Sequence, residues 1–146
     1  MKKSMKPLLL LIALIAVSIS GLKAQTVNGV LQADPSSLSF TTTVNHPVTQ
    51  TVYISPLDQD FLSRLLSPVI DVKIQGTNAN QFSIDANNVS VVDILNSVTS
   101  GNPIDIEVTY NPTAAGTHSA VLVIGTPNIL GIGVTLLNIP LNGVAH

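Results

Sequence analysis

Apolar and polar positions alternate with a period of two along most of the chain beyond its first few dozen residues. In Ile104-Asp105-Ile106-Glu107-Val108-Thr109-Tyr110 the apolar side chains fall on one face and Asp105, Glu107 and Thr109 on the other, the pattern of a half-buried strand. The same reasoning predicts a strand over Val69 to Gln75, with Ile70, Val72 and Ile74 inward and Asp71 and Lys73 outward. Another is expected over Val48 to Ser55, with Val52 and Ile54 inward. Shorter or less regular strands are expected at Val27 to Ala33, Ser37 to Thr42, Gln81 to Ile84, Val89 to Leu95, His118 to Ile124 and Val134 to Leu141. Turn residues separate them at Asp34-Pro35, His46-Pro47, Gly76 to Asn80, Asp85 to Asn88, Ser100 to Pro103, Asn111 to Gly116 and Gly125 to Gly133. Short strands with turn signals between them predict an all-β sandwich.

One segment departs from this rhythm and is the only helix the pattern supports. Ser55-Pro56-Leu57-Asp58 offers an N-cap hydroxyl, a proline for the first helical position and an acid for the third. Leu57, Phe61 and Leu65 then recur at intervals of four, Leu62 and Leu66 widen the stripe, and Pro68 closes it. Such a helix serves either to cap an open end of the sandwich or to meet a partner.

The first residues follow a different logic. Lys2, Lys3 and Lys6 precede an uninterrupted apolar run from Leu8 to Val17, and Ser18, Ser20 and Gly21 lead to Ala24 before Gln25. This three-part pattern reads residues 1–24 as a secretory signal peptide, with cleavage after Ala24, and residues 25–146 as one domain. The apolar run, about 10 residues, falls short of the roughly 18 or more that span a bilayer. No Cys follows it to carry a lipid, and no anchoring tail follows the last predicted strand, so a periplasmic or secreted chain with no membrane span after cleavage is expected.

Composition narrows the function classes. With 146 residues, 45% hydrophobic, 10% charged and no Cys, the chain is neither a disordered acidic tail nor a disulfide-stapled miniprotein. Beyond the leader, Arg64 and Lys73 face all eight acids, a net charge of −6 that repels nucleic acid and anionic membranes. No catalytic signature organises the polar residues: there is no Gly-x-Ser-x-Gly elbow and no His-Glu-x-x-His. His46 sits in a turn, His118 opens a strand and His146 ends the chain; each reads as a solvated or edge histidine. Asp58 and Asp60 fall far short of a calcium loop, which needs about six oxygen ligands. No enzyme activity, cofactor or metal is expected.

Successive blocks then resemble a known family. Ser37-Leu38-Ser39-Phe40, Gln50 to Ile54, Val72 to Ile84 with its Gly-Thr-Asn-Ala-Asn-Gln-Phe core, and above all Ile106 to Ile124 with Tyr110-Asn111-Pro112-Thr113-Ala114-Ala115-Gly116 are similar to choice-of-anchor D domains. These are relatives of the ASH or Hydin-type immunoglobulin-like domains. The closing Ile139 to Ala145 resembles the family's last strand, so the likeness covers residues 33 to 145 or so. It implies an immunoglobulin-like antiparallel β-sandwich of about seven to nine strands, acting as a protein-binding, scaffold or adhesion domain. With a leader ending in Ala-Gln, it also points to a Bacteroidetes-like host. The physical reading of the strongest block agrees: Tyr110 ends a strand with its ring inward, Pro112 turns the chain, and Gly116 permits a conformation other residues avoid.

Two segments depart from the family pattern, Pro56 to Pro68 and Gly125 to Gly133. They supply the candidate partner-contact residues Phe61, Leu65, Ile129, Leu130 and Ile132. The expected partner is another envelope or extracellular protein. Two alternatives stay open: carbohydrate binding, disfavoured by the few aromatic side chains, and self-association into a fibre by exchange of the N-terminal strand, Thr26 to Ala33.

Overall fold

Strands carry most of the structure in a computed structural model that describes residues 25–64, 70–85, 91–126 and 133–146. They are β1 (Gln25–Thr26), β2 (Leu31–Asp34), β3 (Leu38–Thr42), β4 (Val48–Pro56), β5 (Asp71–Gln75), β6 (Phe82–Asp85), β7 (Ile104–Tyr110), β8 (Gly116–Gly125) and β9 (Val134–Ala145). One sheet runs β2-β4-β7-β6 and is antiparallel throughout. The other runs β5-β8-β9, also antiparallel, and β1 and β3 add in parallel along the two ends of β9. Taking β2 and β4 to β9 as the seven strands in order, one sheet holds the first, second, fifth and fourth, and the other the third, sixth and seventh. That is the strand order of a constant-type immunoglobulin sandwich.

The alternation seen in the sequence becomes the core. Val52 and Ile54 of β4 and Ile106, Val108 and Tyr110 of β7 face Leu122 and Ile124 of β8 and Ile139 and Leu141 of β9, all buried. Asp105 and Glu107 lie on the solvent side, as the period-two reading requires.

Three expectations are corrected. The strand expected over Val89 to Leu95 is replaced from Val91 onward by helix α2 (Val91–Ser100); residues 86–90 lie outside the described residues. Alternation through Val91-Val92-Asp93-Ile94 mimics a strand, yet Ile94 and Ser97, three apart, are both buried while Val92, Asp93 and Asn96 are exposed. Ser97 Oγ donates to the Ile94 carbonyl at 2.6 Å, so the buried hydroxyl is satisfied inside the helix.

Among the described residues the expected helix at 55–68 is α1 (Gln59–Ser63), with Asp58 rather than Ser55 as its N-cap; residues 65–68 lie outside the described residues. Ser55 and Pro56 are held in β4 by pairing with Gln32 and Leu31, so the chain is still extended there. Asp58 Oδ1 then accepts from Phe61 N at 2.9 Å, a charged cap stronger than a hydroxyl. Leu57 stays exposed, outside the apolar stripe, whereas Leu62 is fully buried.

The third correction concerns His118, which is neither solvated nor at a sheet edge. It is buried in β8, opposite Gly143 of β9, because its side chain points inward toward Tyr110.

Candidate interaction surface

Polar residues at the β7–β8 end of the sandwich are consumed by the fold. Tyr110, on one sheet, and His118, on the other, share a hydrogen bond of 2.6 Å between Oη and Nδ1. Burial pushes the Tyr110 phenol above its ordinary value of 10.0, so the hydroxyl stays protonated and neutral in the core. The ring lies among Phe82, Phe40 and His118, with centroids 4.9, 5.7 and 5.8 Å away. It also lies over Gly143, where a Cβ would stand inside the ring's contact distance. The turn after Tyr110 is clamped by Gln81, a role the sequence reading missed. Its Oε1 accepts from Thr113 N at 2.7 Å, and its backbone carbonyl accepts from Asn111 N at 2.9 Å. Asn78 Oδ1 accepts from Ser119 N at 3.0 Å, tying the turn after β5 to β8. Gly116, with φ of 125°, closes the turn as expected. The Asn78, Gln81 and Asn111 to Gly116 blocks, some thirty residues apart in the chain, thus meet in one place; their spacing gave no sign of it.

The opposite end carries the connections β4 to β5, β6 to β7 and β8 to β9. Because β7 passes to β8 through a short turn, the Ile54/Ile104 row of one sheet and the Asp71/Gly125 row of the other lie at the same, far end. Helices α1 and α2 contact each other there, and α2 also packs on β4 and β7. Of the predicted contact residues, Phe61 is half-buried and packed against the core, while Leu65, Ile129, Leu130 and Ile132 lie outside the described residues.

Two sheet edges are the clearer surface. Among the described residues β5 pairs only with β8 and β6 only with β7, and the two edge strands run close to one another. Val72 and Ile74 are only half-buried, although Leu122 and Ile124 beside them on β8 are 0% and 1% exposed. A Lys73–Asp71 ion pair of 3.5 Å lies on the outer side of β5, with both side chains well exposed. By contrast the β3 edge is partly occupied, since Gln50 Nε2 donates to the Ser39 carbonyl at 2.7 Å.

On the outer face of the other sheet, Tyr53 is 46% exposed and stands in register between Asp34 and Asp105. Among the described residues no group of three or more His, Asp or Glu side chains is placed to hold a metal, and no helix is long and apolar enough to cross a membrane.

No known protein family and no curated protein matches the chain by sequence. Solved structures match it in shape. An ASH/PapD-like domain of human CEP192 (PapD-like domain 7) is 11% identical with a TM-score of 0.48, covering 81% of this chain and 86% of that one. Domains 4 and 5 of the S-layer protein SbsC are 16% identical with a TM-score of 0.39, covering 79% of this chain and 51% of theirs. The sialic acid binding region of a Streptococcus sanguinis SK1 adhesin, bound to 3'sLn, is 12% identical with a TM-score of 0.44, covering 80% and 29%. The immunoglobulin-type fold itself rests on this chain's own strand order.

Proposed function

We propose that the chain is exported, loses residues 1–24 after Ala24, and works as a non-catalytic protein-binding or scaffold module of the cell envelope or exterior, akin to choice-of-anchor D domains. The observation that carries this reading is the pair of neighbouring edge strands, β5 and β6, each paired on one side only among the described residues. An unpaired edge binds an extended segment through main-chain hydrogen bonds and needs no conspicuous side chains. The polar residues with the most elaborate geometry, Tyr110, His118, Gln81 and Asn78, are bonded within the fold and leave the edges as the contact surface.

Photo-cross-linking residues placed at Gln75 on β5 and Ser83 on β6, with Thr117 as a control on the outer face of β8, test it in the cells that make the protein. Protein adducts from either edge and none from Thr117 are the expected result, together with a mature N-terminus at Gln25. Absence of any protein adduct overturns the reading. Glycan binding is a second reading, favoured by the exposed Tyr53 ring; retention on a glycan array that is lost in Tyr53→Ala, without edge adducts, would establish it instead.

A further inference from the structure

We infer that the β5 edge is built to pair with the β5 edge of a second copy of this chain, in one antiparallel register centred on Val72. The inference rests on the edge-binding reading above and names the occupant of one of its two edges. Three observations meet on this strand. It is unpaired on its outer side among the described residues, its inward side chains Val72 and Ile74 are incompletely covered, and its outward side carries one acid and one base two residues apart.

Symmetry and the pleat leave few registers to choose from. Directly opposed residues of an antiparallel pair point to the same face, and a two-fold axis makes the pairing self-complementary. Registers that set Asp71 opposite Ile74 would place outward residues against inward ones and are excluded. Centring the pair on Lys73 sets two ammonium groups face to face, and centring it on Asp71 opposes two carboxylates. Centring it on Val72 sets Asp71 opposite the second copy's Lys73 and Lys73 opposite its Asp71, with Val72 meeting Val72 and Ile70 meeting Ile74 on the inner side. This is the one face-matched register in which every directly opposed charge finds its opposite. The Lys73–Asp71 pair within one chain is exposed and worth little by itself. Exchanging it for two pairs across the axis loses nothing, and the two incompletely covered apolar side chains gain cover.

A lone lysine on an edge strand also serves as a guard against pairing, and the experiment separates the two roles. The purified mature chain is followed by sedimentation across concentration, with circular dichroism to check that each variant is folded. Wild type is expected to dimerise reversibly. Lys73→Asp, which opposes like charges twice, should weaken the dimer roughly 30-fold. The double variant Asp71→Lys/Lys73→Asp should regain wild-type association, because the opposed signs are again opposite. A guard predicts the reverse for the single variant, stronger association when the lysine is lost.

Register is read directly, since the chain has no cysteine of its own. A mixture of Asp71→Cys and Lys73→Cys chains should oxidise to a mixed disulfide dimer, while each variant alone should not. Opposed Cα atoms about 5 Å apart are within disulfide reach. A wild type that stays monomeric at every concentration, a dimer indifferent to Lys73→Asp, or a disulfide formed within either single variant would each overturn the inference. Adducts from Gln75 or Ser83 to a different protein and none to a second copy would overturn this inference and leave the broader edge-binding reading standing; absence of any protein adduct, to a second copy or to another partner, would remove that reading as well.

Discussion

Replacing Gly143 by alanine is the sharpest test of how the sandwich is closed at its β7–β8 end. A Cβ there would lie 2.8 Å from Tyr110 Cε1 and nearer still to two other ring atoms, so the ring has to retreat by about 1 Å to reach ordinary contact. It has little room to do so. Tyr110 is fully buried, packed against Phe82 and Phe40, and its hydroxyl is fixed by the 2.6 Å bond to His118. Overpacking of this kind costs about 1–3 kcal/mol, and losing the hydroxyl's partner in the interior adds roughly another 1–3. A total near 3 kcal/mol should lower Tm by about 10 °C in a domain of this size. Backbone entropy alone predicts the opposite sign, since Gly143 does not lie at positive φ and alanine would restrict the unfolded chain by about 0.4–1 kcal/mol. Chemical denaturation read by circular dichroism separates the two. The double-mutant cycle with Tyr110→Leu should show a coupling above about 1 kcal/mol, because removing the ring removes the collision. A Gly143→Ala variant as stable as wild type would refute the packing argument.

Other perturbations test the remaining parts of the fold. With its folded pKa raised above 10.0, Tyr110 keeps its proton in the native state after the unfolded chain has lost it. Its contribution is therefore full below pH 10 and drains away as pH rises toward the folded value; urea midpoints taken from neutral pH upward should fall in that window in wild type and stay flat in Tyr110→Phe. Gln81→Ala removes the clamp on the turn after β7 and should cost about 1–3 kcal/mol, with hydrogen exchange at Thr113 N accelerated more than exchange in β4. Asp58→Ala should cost about 1 kcal/mol by denaturant titration through loss of the α1 cap, whereas Ser55→Ala, at the position the sequence favoured as the cap, should cost less.

How much of this was legible in the sequence depended on whether the deciding contact was local. The strand alternation at Ile104 to Tyr110 was readable because a half-buried sheet imposes its period on the chain itself. Tyr110's inward ring and the turn at Gly116 were readable for the same reason. Helix α2 was hidden because Val91-Val92-Asp93-Ile94 satisfies both periods, and only its packing on β4, β7 and α1 selects the helical one. The N-cap was misplaced by three residues because β2, far behind in the chain, holds Ser55 and Pro56 in a strand. His118 read as an edge residue because its partner belongs to the facing sheet. Of the candidate contact residues only Phe61 falls within the described structure, and the β5 edge emerged only once the sheet order was known.

The two kinds of residue identified here make opposite demands on experiment. At the β7–β8 end each key polar group has its bonds inside the chain, so a partner could engage Tyr110, His118 or Gln81 only by breaking contacts that hold the sheets together. Substitutions there should move stability and association together. On the β5 edge the reverse holds. Asp71 and Lys73 are exposed and, among the described residues, form an ion pair with each other, and changing them should leave stability within about 0.5 kcal/mol. Plotting unfolding free energy against association strength for variants of both groups therefore gives two separate directions, one for the fold and one for the edge. Edge variants that lose association only in proportion to lost stability would place Lys73 and Asp71 among the residues that hold the sandwich together, and the edge would cease to be a binding surface.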